Sequence, residues 1–182
     1  DGDGGPATSA SLASPEGVAV DASGNVYITD IFNCVVRKVA VTTNIITTVA
    51  GMYVAPGLPG SCSPSGDGGN ALAAKFSVPR RMTLDPAGNL FVLDSGSETV
   101  RRIDAATNII TTVAGGGPTK ISARSAPLEP YGVAVDSAGN VLVASETGIF
   151  RVDPSGQLTS VGDGCGRAVC SALAVAVAAT CA

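Results

Sequence analysis

The chain contains no histidine and no tryptophan among its 182 residues. Histidine is the most common general base and the usual zinc ligand, so its absence disfavours most hydrolase and lyase functions. Only 14% of the residues are charged, and 11 basic against 15 acidic side chains give a net charge of −4. A weakly acidic chain of this kind does not suit a polyphosphate partner, and we expect no binding to nucleic acid.

Long apolar runs are also missing. The longest run, residues 172–179, has eight residues, whereas a membrane span needs roughly 18. We therefore expect no membrane insertion. What the chain does have is 45% hydrophobic residues and 23 glycines, a composition that favours an ordered β protein over a disordered chain.

The dominant feature of the sequence is an internal repeat that occurs three times. GVAVDASGNVYITD begins at Gly17, RMTLDPAGNLFVLD at Arg81 and GVAVDSAGNVLVAS at Gly132. Alternating apolar residues lead to an aspartate and a Gly-Asn turn, after which the alternation resumes, so each copy predicts a β-hairpin. Two further short strands complete a four-stranded meander. Because such a meander cannot bury its faces alone, the units are expected to pack on one another as blades of a β-propeller.

The spaced motifs resemble NHL repeats of the bacterial and extracellular type. They comprise the P-x-G-V-A-V-D-x-x-G-N-V-Y strand pair, the I-x-T-V-A-G strand and a Gly-Asp-Gly-Gly linker at residues 2–5 and 66–69. The resemblance covers residues 1 to about 162. It implies an all-β fold of four-stranded antiparallel NHL-type propeller blades, with three blades plus a partial fourth in an incomplete ring. Members of the family usually close a ring of about six blades.

The repeats predict the organisation of the chain. Residues 1–51 are assigned to blade 1 with its leading linker, 52–115 to blade 2 with a Pro/Gly-rich insertion around Cys62, 116–162 to blade 3, and 163–182 to the cysteine-rich start of a further repeat. Two explanations fit three blades. Either the chain is a fragment of a longer protein, or copies of it associate head to tail as a closed ring or an open filament.

The third unit departs from the other two. Ser145 stands where the others have Asp30 and Asp94, and no Gly-Asp-Gly-Gly linker precedes Pro130. The basic residues of Arg37-Lys38, Arg101-Arg102 and Arg151 recur in every unit, which indicates a scaffold role in bonding carbonyls or carboxylates.

The five cysteines have no metal-binding spacing, and we interpret them as disulfide candidates: Cys34, Cys62, Cys165, Cys170 and Cys181. Disulfides predict an oxidising, extracellular or cell-surface location. Their connectivity stays open, the odd cysteine is free or pairs with another chain, and the alternative is reduced thiols in a cytosolic propeller. Ser- and Thr-rich linkers would be accessible to O-linked glycan, whereas the chain has no Asn-x-Ser/Thr acceptor for N-linked glycan.

Calcium is the one cofactor that the sequence suggests. Asp1, Asp3 and Asp67 cluster on glycine-rich loops and are weak ligand candidates, although turn geometry explains these loops better because their spacing departs from the EF-hand pattern. Arg80 and Arg81 follow Pro79, where a propeller exposes its loop face, and are candidates for contact with an anion.

These observations favour a non-catalytic extracellular module that acts as a structural or protein-interaction element, as the repeating unit of a fibre or surface appendage. Its expected partners are other protein chains, including copies of itself head to tail. We predict no catalytic residues and no resident cofactor. The alternative is a fragment of a larger six-bladed NHL propeller, either a lactonase-like enzyme that holds calcium or a ligand-binding sensor.

Overall fold

A computed structural model describes residues 2–53, 63–116 and 130–163. Within them the chain forms three four-stranded antiparallel sheets, each with its strands in chain order. Blade 1 consists of β1 (Pro15–Val20), β2 (Val26–Asp30), β3 (Val35–Val39) and β4 (Ile46–Ala50). Blade 2 consists of β5 (Pro79–Leu84), β6 (Leu90–Asp94), β7 (Thr99–Ile103) and β8 (Ile110–Gly115). Blade 3 consists of β9 (Pro130–Val135), β10 (Val141–Ser145), β11 (Gly148–Val152) and β12 (Leu158–Asp163).

The fold class predicted from the repeats is confirmed, and the described blades form no closed ring. The further repeat predicted for residues 163–182 lies outside the described residues after Asp163. Helical structure in the described part is confined to 3₁₀ turns at Ala7–Ser9, Ile31–Asn33 and Ala71–Ala73. None of these helices is long or apolar enough to cross a membrane.

A proline begins the first strand of each sheet, at Pro15, Pro79 and Pro130. Proline has no N–H to donate to a ladder, so it is tolerated at the first residue of a strand. These first strands contact one another in sequence, β1 with β5 and β5 with β9. They therefore form the inner side of the array, and the later strands of each blade lie further out.

The first hairpin of each blade is fixed by its aspartate. The carboxylates of Asp21, Asp85 and Asp136 each accept a hydrogen bond from the backbone N–H of the asparagine four residues later, at 2.9, 2.8 and 2.8 Å respectively. The same asparagines donate their side-chain amides to the other carboxylate oxygens. This turn chemistry is local, so it repeats wherever the D-x-x-G-N motif occurs.

Two apolar clusters hold the blades together. The first joins Val36 and Ala50 of blade 1 to Met82 and Leu90 of blade 2, with Phe76 of the intervening linker buried between them. The second joins blades 2 and 3, and its members come from the sheets themselves: Phe91, Val100, Ala114, Val141, Val143 and Val152. The core of the described protein therefore lies between blades, as expected for meanders that bury their faces on neighbours.

Candidate functional site

In blades 1 and 2 an arginine of the third strand anchors the linker that precedes the blade. Arg37 donates to the Asp3 carboxylate at 2.9 Å, and Arg101 donates to the Asp67 carboxylate at 2.8 Å. Arg101 also donates to the Lys75 carbonyl at 2.7 Å. Each guanidinium is almost fully buried, whereas its carboxylate partner is partly exposed. The charge-assisted bonds fix the linker on the sheet.

A second contact ties down the end of each linker. Asp30 accepts a hydrogen bond from the Ala13 N–H at 2.7 Å, and Asp94 accepts bonds from the N–H groups of Ser77 and Val78. Both carboxylates are fully buried. Both aspartates therefore serve the linker, and Asp30 also accepts a hydrogen bond from the Asn33 side chain in the turn after β2.

Blade 3 carries different residues at both of these positions. Ser145 occupies the position of Asp94, and Phe150 opposes Val143 as Arg101 opposes Val92. The Phe150 ring packs against the apolar cluster between blades 2 and 3. The strand pairing therefore makes Arg151 the counterpart of Lys38 and Arg102. The counterpart of the linker-binding arginine is Phe150.

The calcium candidates Asp3 and Asp67 both have arginine partners, and Asp1 lies outside the described residues. Burial raises the pKa of Asp67, but donation from the Thr112 N–H and the Arg101 guanidinium outweighs it, so the pKa lies below its usual value. Among the described residues no group of three metal-ligating side chains of the His, Cys, Asp and Glu types comes together. The calcium assignment stays a prediction, with these carboxylates already hydrogen-bonded.

A depression of about 460 Å³ lies where the first hairpin turns of the three blades meet. Asp21, Asp85 and Asp136 line it. Each of these carboxylates accepts hydrogen bonds within its own turn. The depression is thus a meeting point of structural turns.

Arg80 and Arg81 are both exposed at the start of β5. Arg80 forms an ion pair at 3.3 Å with Glu16, the equivalent residue of β1. Such exposed pairs contribute little to stability. Contact of Arg80 and Arg81 with an anion stays a prediction, and Glu16 already neutralises one of the two charges.

Cys34 is fully buried and disulfide-bonded. The other disulfide candidates, Cys62, Cys165, Cys170 and Cys181, lie outside the described residues. The pairing of the cysteines, which the sequence left undecided, therefore stays undecided.

Blade 1 exposes an apolar face that its sister blades bury. Val18 and Val20 of β1 are 66% and 59% exposed. Their equivalents in blade 2 are Met82, which is 8% exposed, and Leu84, which packs against the cluster shared with blade 1. We call this surface of blade 1, defined by Val18 and Val20, the leading face.

The equivalents of the leading face in blade 3 are Val133 and Val135, and they pack against the cluster shared with blade 2. The structure therefore contains two examples of how this surface is covered. In both examples this surface is covered by the opposite face of the preceding blade. The sequence of β1 carries no signal that its own surface is exposed.

Blade 3 exposes the complementary surface. Val161 lies at the bulge of β12, as Val49 and Val113 do in β4 and β8. Val49 and Val113 pack against the clusters that join their blades to the next one, whereas Val161 is 59% exposed. We call the surface around Val161 the trailing face.

Comparisons with known proteins agree with this architecture. Residues 1–63 match the family model of the teneurin NHL domain. Teneurin-1 of Gallus gallus is 33% identical over 95 residues, which are 52% of this chain and 3% of teneurin-1.

Among solved structures, a chain of the nidogen/laminin complex is similar with a TM-score of 0.58 and 16% identity, over 85% of this chain and 51% of that chain. Streptogramin B lyase gives a TM-score of 0.55 at 16% identity, over 85% of this chain and 42% of that chain. Virginiamycin B lyase from Staphylococcus aureus gives a TM-score of 0.52 at 19% identity, over 80% of this chain and 40% of that chain. The chain thus spans about half or less of these structures, and the likeness at such identities concerns the fold.

Proposed function

Because the chain is built from NHL-type β-propeller repeats, we propose that it is a non-catalytic, extracellular module that binds other protein chains. The partner is a second copy of this chain, bound head to tail through the leading and trailing faces. The observation that carries the proposal is the exposure of Val18 and Val20, whose equivalents are covered in blades 2 and 3.

The two interfaces between blades within the chain indicate what would cover the leading face. Each consists of the leading face of one blade against the trailing face of the blade before it. The trailing face around Val161 has the same strand position as its counterparts at Val49 and Val113. A second copy therefore offers a surface of the type that already covers this face elsewhere in the molecule.

Burial supplies the driving force for this contact. Covering one valine side chain contributes about 1.5 kcal/mol or more, and Val18, Val20 and Val161 are all more than half exposed in one chain. The contact joins two different surfaces, so it is heterologous. The described blades of two copies number six, and they would close a ring if the rotation allows. Otherwise copies would propagate as a filament.

A non-catalytic, extracellular role is supported by the residues available. The chain has no histidine, and the buried carboxylates of Asp30 and Asp94 are committed to linker amides. The disulfide-bonded Cys34 and the similarity to teneurin-1 support a location outside the cell.

Sedimentation equilibrium of the chain tests the contact. We expect masses that rise with concentration above the 17.8 kDa of one chain. The double substitution Val18→Lys and Val20→Lys removes the leading face, and Val161→Lys removes the trailing face, so each variant is expected to stay monomeric. Val41→Lys is the matched control, because Val41 is 50% exposed and belongs to neither the leading nor the trailing face. This variant should associate as the wild type does.

Mixing the two variants provides the sharper test. Each retains one intact face, so a 1:1 mixture should form heterodimers of twice 17.8 kDa and nothing larger. A folded wild-type chain that stays monomeric at high concentration would overturn the proposal. Association that survives Val18→Lys with Val20→Lys would overturn it equally.

A further inference from the structure

The interface between blades 2 and 3 contains a cleft of about 550 Å³. Its walls are Phe91 and Val113 of blade 2 and Val141 and Val152 of blade 3. It opens at the edge of the sheets where the hairpin turns lie, away from Arg80 and Arg81. A cleft of this size is within the range that takes a small organic molecule.

Two residues that line the cleft are smaller than their counterparts in blade 2. Val141 and Val152 of blade 3 occupy the positions of Leu90 and Ile103 in blade 2. Leu90 and Ile103 are buried in the cluster that joins blades 1 and 2, and each is one methylene larger than the valine that replaces it. The turn after β11 also differs, because Pro154-Ser155-Gly156 follows Asp153 and lines the cleft.

The rim of the cleft has an excess of negative charge. Asp85 and Asp153 line it from opposite blades, together with Arg102. The Arg102 guanidinium is paired with the Asp104 carboxylate at 2.7 Å, so its charge is balanced. Donation from the Ser155 hydroxyl, followed by that from the Gln157 N–H, lowers the pKa of Asp153.

We propose that this cleft is a binding site for a small amine, with an aromatic or branched aliphatic body against Phe91, Val113, Val141 and Val152 and a cationic nitrogen near Asp85 and Asp153. Phe91, Val141 and Val152 are 3%, 4% and 2% exposed and form the floor of the cleft, and the two carboxylates at its rim select the charge. The site is independent of the head-to-tail contact, because Val18, Val20 and Val161 do not line it.

The probe is 2-phenylethylammonium, titrated into chain labelled at its valine methyl groups and followed by NMR. We expect saturable shifts at Val113 and Val141 with a Kd of about 1 mM, the order expected for a fragment of about nine non-hydrogen atoms. Phenylacetate, which has the same ring and the opposite charge, should bind at least about tenfold more weakly.

The double substitution Val141→Leu and Val152→Ile introduces the residues of blade 2 and adds one methylene at each of two positions that line the cleft. It should weaken binding of 2-phenylethylammonium at least about tenfold while leaving the fold intact. Val41→Ile, which adds one methylene at an exposed turn, should leave binding unchanged. If the double variant does not fold, Asp153→Asn tests the charge instead and should reduce the preference for the amine over phenylacetate.

Three results would overturn the proposal: no saturable shift with the amine, equal binding of the amine and phenylacetate, or amine binding that Val141→Leu with Val152→Ile leaves unchanged. Self-association is measured separately on the same samples. A monomeric chain that binds the amine would refute the head-to-tail contact alone, and an associating chain that does not bind it would refute the cleft alone.

Discussion

At the scale of single residues, aspartates that begin turns are the most regular feature of the molecule. Asp104 and Asp153 follow the third strands of blades 2 and 3, and each accepts hydrogen bonds from the residues that follow it. The turn role of Asp21, Asp85 and Asp136 was predictable because the partners lie two to four positions away in the sequence. The linker role of Asp30 and Asp94 was not, because their partners lie 16 or 17 residues away.

We predict that stability falls at acid pH because of these turns. The Thr107 N–H and hydroxyl, together with Arg102, lower the pKa of Asp104 from 3.8 to about 2. The folded pKa lies below the unfolded one, so the contribution is complete above about pH 4 and is lost as the pH falls towards 2. Urea midpoints measured between pH 6 and pH 2 should therefore decrease across that window.

The variant Asp104→Asn separates this carboxylate from the others. It should be less stable than the wild type at pH 6, with a shallower decrease between pH 4 and pH 2. Glu98→Gln removes an exposed carboxyl and should reproduce the wild-type profile. A parallel profile for Asp104→Asn and the wild type would contradict the prediction.

At the scale of elements, the linkers decide how the blades pack. The sequence predicted the meanders from alternation and turns, and it identified the Gly-Asp-Gly-Gly linkers as motifs. It did not predict that the second linker inserts Phe76 between blades 1 and 2, where the Arg101 guanidinium lies over the ring at 5.4 Å from its centroid. This arrangement depends on two segments about 25 residues apart in sequence, so no local pattern encodes it.

We predict that Phe76→Ala destabilises the chain by about 3–5 kcal/mol, because it leaves a cavity among residues of two blades. Phe32→Ala is the matched control: Phe76 is 0% exposed, whereas Phe32 is 67% exposed. Chemical denaturation should show a change within about 0.5 kcal/mol for Phe32→Ala. Equal losses for the two variants would mean that Phe76 does not hold the blades together.

The third strands illustrate the limit of reading residues in sequence. In the sequence, Arg37, Arg101 and Arg151 look equivalent because a basic residue recurs in the third strand of each unit. The ladder places Phe150 opposite Val143, so Phe150 is the true counterpart of Arg101. Ser145 stands in place of the buried aspartate, so blade 3 differs from blades 1 and 2 at both positions that bind a linker there.

At the scale of the whole molecule, the disulfide at Cys34 bears on the proposed extracellular location. Cys34 is disulfide-bonded and fully buried. We predict that alkylation of the chain unfolded in urea labels Cys34 only after reduction, as measured by peptide mass mapping. Reduction should also lower the thermal midpoint, because a disulfide typically contributes about 2–4 kcal/mol.

Unreduced chain in urea serves as its own control, since any free cysteine is labelled there without reductant. The mapping also identifies the partner of Cys34 and the cysteines that are free. Labelling of Cys34 without reduction would contradict the prediction and would favour the cytosolic alternative.

The sequence by itself determined the secondary structure and the repeat, because alternation, Gly-Asn turns and aspartate caps act over a few residues. It also determined that meanders with apolar faces must pack on neighbours. Only the tertiary structure decided which faces are covered, because burial of Val18, Val133 or Val161 depends on the blade that lies against it. The cleft beside Phe91 belongs to the tertiary structure for the same reason: its volume is set by the side chains of two blades that face each other.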